Sequence, residues 1–87
     1  MATSNDGQLY QDVVRVTRIY LGPAADRFMS RQVENHLQKP PEELSAKDLH
    51  SLIIWIRLAV SLLTDDGAIV DEYVHQLEKL AASNGRG

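Results

Sequence analysis

Read as a helix at about 100° per residue, residues 46–64 show almost no polar side. Leu49, Leu52, Ile53, Ile54, Trp55, Ile56, Leu58, Ala59, Val60, Leu62 and Leu63 cover most of the circumference. Only His50, Arg57, Ser61 and Thr64 gather in a narrow polar wedge, with Ser51 and Lys47 further round near the first turn. A helix apolar nearly all round belongs in a protein centre, in a membrane or against a partner chain.

The other segments are ordinarily amphipathic. From about Gly7 to Leu21, Leu9, Val13, Val16 and Tyr20 form a stripe that Tyr10, Val14 and Leu21 widen, while Gln11, Arg15 and Arg18 face away and Ile19 stands alone on the polar side. Gly22-Pro23 predicts a tight corner, because glycine suits the position past a helix end and proline the first position of the next helix; a proline-kinked continuous helix is the alternative. From about Pro23 to Gln38, Ala25, Phe28, Met29, Val33 and Leu37 oppose Arg27, Arg31, Glu34 and Gln38. Lys39-Pro40-Pro41 stops this helix, since proline disfavours helical geometry in the residue before it, and a short turn is expected at 40–44.

The third helix carries the clearest start signal. Ser45 is placed to cap it, Asp48 to return the capping bond, and Leu44 to pack on Leu49 as a staple. Thr64-Asp65-Asp66-Gly67 ends it and caps a fourth helix, whose inward stripe is Ile69, Val70, Tyr73, Val74, Leu77, Leu80 and Ala81, opposite Asp71, Glu72, His75, Glu78 and Lys79. With no alternating strand pattern, the expected fold is all-α: one domain over residues 1–87, a compact four-helix bundle, with residues 1–6 and 83–87 frayed.

In such a bundle each helix offers about a third to a half of its circumference to the shared core. Leu49, Leu52, Ile56, Ala59 and Leu63 can serve that core, which leaves Ile54, Trp55, Leu58 and Leu62 on an adjacent strip. Either the first two helices wrap both sides of the third, or a homodimer or partner protein covers the strip. Leaving four such side chains wet is costly enough that we expect the second arrangement.

Composition narrows the classes. The chain has 87 residues, 44% hydrophobic and 24% charged, which fits one small domain, of a size that often completes its core by association. Cysteine is absent, so disulfides, thiolate metal sites and a cysteine nucleophile are excluded, and a cytoplasmic location is expected. The opening MATSNDGQ lacks the features of a secretory signal, and the apolar run Leu52 to Ile56 is too short to span a bilayer. The net charge of −3 argues against generic nucleic-acid or anionic-membrane binding.

Candidate chemistry is sparse. His36, His50 and His75 lie on different helices with no second ligand at i+3 or i+4, so no metal site is expected. His36 reads as a hydrogen-bonded core histidine beside Gln32, and His75 as a solvated neighbour of Asp71. His50, in the polar wedge, admits a phosphotransfer reading, but the lysine and glycine that follow the histidine in such domains are missing from Leu49-His50-Ser51-Leu52. Arg15, Arg18, Arg27 and Arg31 offer a possible polar contact surface and, as the alternative function, a nucleic-acid face; Asp12, Asp26 and Glu34 interrupt it, and no aromatic residues are interleaved for base stacking. Glu42-Glu43 and Asp65-Asp66 sit at helix starts, where capping explains them. With no phosphate loop, no nucleophile beside a base and no paired carboxylates on an apolar wall, neither catalysis nor a cofactor is expected.

The segment Tyr20-Leu21-Gly22-Pro23-Ala24-Ala25-Asp26-Arg27-Phe28-Met29-Ser30-Arg31-Gln32 resembles short helical modules at the ends of bacterial signalling proteins, including some serine/threonine kinases. There a helix ends in Gly-Pro, followed by a small residue, an apolar pair and an arginine. The resemblance covers about the first half of the chain and carries no catalytic residue. It implies a regulatory association module in prokaryotic signalling.

Overall fold

Apolar residues three and four apart drive the local structure wherever that spacing occurs. A computed structural model describes residues 7–84, which hold α1 (Gln8–Leu21), α2 (Ala25–Leu37), α3 (Ala46–Ser61) and α4 (Gly67–Asn84). The fold is all-α, with no strand among the described residues. The expected fraying of 1–6 and 83–87 lies outside the described residues, except that α4 takes in residues 83 and 84.

The corner after α1 is real. Gly22 has φ 68°, a value that suits glycine because it has no Cβ, and a 3₁₀ turn, Gly22–Ala24, leads into α2. Tyr10 and Asp26 are 16 positions apart, about 24 Å along a continuous helix, yet the Tyr10 hydroxyl donates to Asp26 Oδ1 at 2.9 Å. Only a chain that doubles back makes that bond. α2 ends at Gln38, whose left-handed φ of 55° lets its N–H reach Glu34 O, and Pro41–Glu43 forms the expected short turn.

α3 opens with the predicted reciprocal cap. Asp48 N donates to Ser45 Oγ, and Ser45 N donates to Asp48 Oδ2. Leu44 and Leu49 are both buried in the core. Lys39 adds a contact the sequence did not announce, donating to Asp48 Oδ2 at 2.7 Å. Partial burial alone would raise the Asp48 carboxyl, but the Lys39 ammonium and the Ser45 donors outweigh it and hold it below the usual carboxylate range. At the start of α4, Asp66 Oδ1 accepts from Ala68 N and Ile69 N, while Thr64 Oγ1 accepts from Asp66 N.

The helices pack in a ring. α1 lies against α2 and α4, and α3 against α2 and α4, so α1 and α3 are across the bundle from one another. Leu9, Val13, Met29, Val33, Leu49, Leu52, Ile56, Val70, Tyr73 and Leu77 fill the middle. Tyr73 is fully buried; its hydroxyl lies 2.6 Å from Thr17 Oγ1 on α1, and its ring lies 5.1 Å from that of Tyr20. Thr17 was not part of the expected stripe, whose Val16 and Tyr20 are only half-buried.

Three further expectations are corrected. Leu63 is 62% exposed instead of serving the core, because α3 ends at Ser61 and Leu63 N already bonds Val60 O in the following turn. Ile53 and Val60 are buried on that side of α3, and Ala59 is half-buried. Ile69, in the first turn of α4, is 41% exposed and so stands at the edge of the inward stripe. His36 is exposed and stacks on Trp55, with ring centroids 4.6 Å apart and planes 11° from parallel, so it is no core histidine. No helix of the described residues is long and apolar enough to cross a membrane.

Candidate association surface on the third helix

A helix in a four-membered ring has two neighbours and an outer side that neither reaches. On α3 that outer side carries Ile54 (61% exposed), Trp55 (47%) and Leu58 (55%), and Leu62, just past the helix end, is 88% exposed. All four residues expected on the strip therefore stand together in the open. The intramolecular alternative fails on geometry, because α1 sits across the bundle and does not fold over this side. Leu63, expected in the core, adds to the apolar surface at this end of α3.

Both flanks of the strip are pinned. On the α2 side, His36 lies flat against the Trp55 ring and restricts its rotamers. On the α4 side, Arg57 Nη1 donates to Asp71 Oδ1 at 2.8 Å, so Asp71 is engaged by Arg57 rather than by His75. That pair is exposed and stabilises little, but it holds the guanidinium away from the strip. Single exposed apolar residues such as Ile19, 75% exposed on α1, are ordinary; a contiguous exposed row on one helix face is not, which makes this side of α3 the candidate surface.

The remaining candidates are scattered or spent. Thr64 caps the turn, and His50 stands exposed beside a shallow depression shared with Lys47 and Glu78 and lined by Ala46, Ala81 and Ala82. Arg15 and Arg18 line one groove with Tyr10 and Asp26, Arg27 lines an adjoining depression with Pro23, Ser30 and the same Asp26, and Arg31 lines neither. Arg15 is also paired with Asp12 at 3.2 Å. Burial, and then Asp26, push the Tyr10 phenol well above its ordinary range, so in the first groove Tyr10 acts as a hydrogen-bond donor and not as a base. Among the described residues no three His, Asp or Glu side chains converge as a metal cluster.

Sequence reasoning missed His36 as a member of the site. The available signal was positional: His36 follows Gln32 by one turn on the side of α2 that meets α3, but ring stacking depends on the rotation between the helices. No protein-family model, curated protein or solved structure matches the chain.

Proposed function

We propose that the chain is a non-catalytic helical association module, a homodimeric regulatory or adaptor domain of the bacterial cytoplasm acting in signalling or assembly. Its interface is Ile54, Trp55, Leu58 and Leu62. The observation that carries this reading is the row of exposed apolar side chains on α3, between 47% and 88% open, on the helix whose other side builds the core. The Gly-Pro segment from Tyr20 to Gln32 supports the assignment to prokaryotic signalling through its resemblance to short modules there.

Magnitudes set the kind of complex. Covering what remains exposed on each side chain contributes about 1–1.5 kcal/mol, and a two-fold interface buries each of the four twice. The gross gain of about 10 kcal/mol is set against an association cost of about 4–15 kcal/mol. The expected product is a weak, concentration-dependent dimer suited to regulation. The arginine surface offers less: Asp26 lines both of the depressions that hold Arg15, Arg18 and Arg27, and Asp12 already engages Arg15.

Sedimentation velocity of the wild type beside Trp55→Glu and Leu62→Glu tests the proposal. The wild type sediments as a concentration-dependent dimer, and both variants as monomers with unchanged far-ultraviolet circular dichroism. A wild type that stays monomeric throughout the micromolar range overturns self-association.

A further inference from the structure

The surface carries an order along α3 that selects how two copies meet. Ser51, Trp55, Leu58 and Leu62 follow one another at spacings of four, three and four, the spacing that keeps residues on one seam of a paired helix. Leu62 keeps helical backbone angles at the C-cap, so it continues the seam. Ser51 at one end is small, and Leu62 at the other is the most exposed large apolar residue among those described. Positions 51 and 62 share their midpoint with positions 55 and 58.

Charge follows the same gradient. Lys47, exposed, lies one turn before Ser51 on the same side of the helix, and Asp65, also exposed, follows Leu62 in the turn before α4, where the Asp66 carboxylate is taken up by the α4 cap. Of the acids near the start of α3, Asp48 is engaged by Lys39, while Glu42 and Glu43 lie in the short turn ahead of the helix.

We infer that the occupant of the strip is a second copy of this chain, with the two α3 helices antiparallel about a two-fold axis between Trp55 and Leu58; this rests on the association reading above. In that arrangement each Leu62 drops over the small Ser51 of the other copy, and each Trp55 meets a Leu58. Each Lys47 faces the turn that carries Asp65. Parallel helices would instead leave a gap at Ser51 against Ser51, wedge Leu62 against Leu62, and set like charges together at both ends.

The chain has no cysteine, so introduced thiols report on one site each. Full-length Ser51→Cys and Leu62→Cys chains are mixed in a glutathione redox buffer, and the disulfides are read by non-reducing mass spectrometry. The 51–62 disulfide between copies dominates. Same-position disulfides do not form, because those sites lie about 16 Å apart along the paired helices and a disulfide needs Cα atoms within about 7 Å. Predominant 51–51 and 62–62 products, or a statistical mixture, overturn the antiparallel order while leaving association intact. A monomeric wild type in sedimentation overturns the association itself and this arrangement with it. As a second readout, Lys47→Glu weakens the dimer about tenfold and the Lys47→Glu/Asp65→Lys double variant recovers it. An unchanged affinity in Lys47→Glu overturns the antiparallel pairing.

Discussion

Tyr73 on α4 donates its hydroxyl hydrogen to Thr17 Oγ1 on α1 across 2.6 Å, and the direction follows from Thr17 itself. The single Thr17 hydrogen goes to Val13 O at 2.7 Å, so toward Tyr73 the threonine oxygen acts only as acceptor. The two losses are therefore unequal. Thr17→Val leaves a fully buried Tyr73 hydroxyl without an acceptor and costs about 1–3 kcal/mol, whereas Tyr73→Phe leaves Thr17 still bonded to Val13 and costs about 1 kcal/mol. The double variant recovers part of the Thr17→Val loss. Urea denaturation of the four proteins checks the order; a larger cost for Tyr73→Phe contradicts it.

The three tyrosines share one alkaline behaviour. Burial raises Tyr73; burial and then Asp26 raise Tyr10; burial and then Glu72 raise Tyr20. A phenol whose native pKa lies above its unfolded value of about 10 binds more protons in the folded state between those values. Its stabilisation is complete below about pH 10 and is lost as pH rises further. Stability should fall from about pH 10 upward, and phenolate absorbance should appear later than in the urea-unfolded chain. Tyr73→Phe flattens the alkaline limb.

Gln38 holds a left-handed backbone, φ 55° and ψ 42°, without being glycine. Such a conformation costs a side-chain-bearing residue about 1 kcal/mol, and glycine at this helix-ending position removes the cost. Gln38→Gly should raise stability by about 0.5–1 kcal/mol, measured as a higher urea midpoint at unchanged slope. A lowered midpoint would show that this turn is held by contacts of the Gln38 side chain.

Asp48 joins the start of α3 to the preceding loop through Ser45 and Lys39. Its carboxyl is depressed, so its contribution is present above the unfolded carboxylate range near pH 4 and is lost as pH falls through the lower native value. Asp48→Asn should cost about 1–2 kcal/mol at neutral pH, and the gap to wild type should close in acid. A gap independent of pH would place the loss in packing and not in charge.

Much of this architecture was legible because it is local. The reciprocal cap at Ser45 and Asp48, the Gly22-Pro23 corner and the apolar stripes each depend on residues within a few positions of one another. The strip on α3 was legible by excess: Ile54, Trp55, Leu58 and Leu62 are more than two neighbouring helices can cover. What escaped depends on helix ends and rotations. Thr17 is a core residue only because Tyr73 arrives from 56 positions away. Leu63 leaves the core because α3 stops at Ser61, two residues short of the point where periodicity would turn it inward. His36 belongs to the surface because α2 is rotated to bring the imidazole against the Trp55 ring.

Trp55 is the only tryptophan in the chain and stands in the middle of the strip, so its emission reports directly on whether that surface becomes covered. Fluorescence and iodide quenching of the wild type, followed from submicromolar to high micromolar concentration, should show a blue shift and a loss of quenching that track the rise in sedimenting mass from the 9.7 kDa chain to twice that value. An emission maximum and a quenching constant unchanged across that range, at constant monomer mass, would contradict the claim that a second copy buries this face.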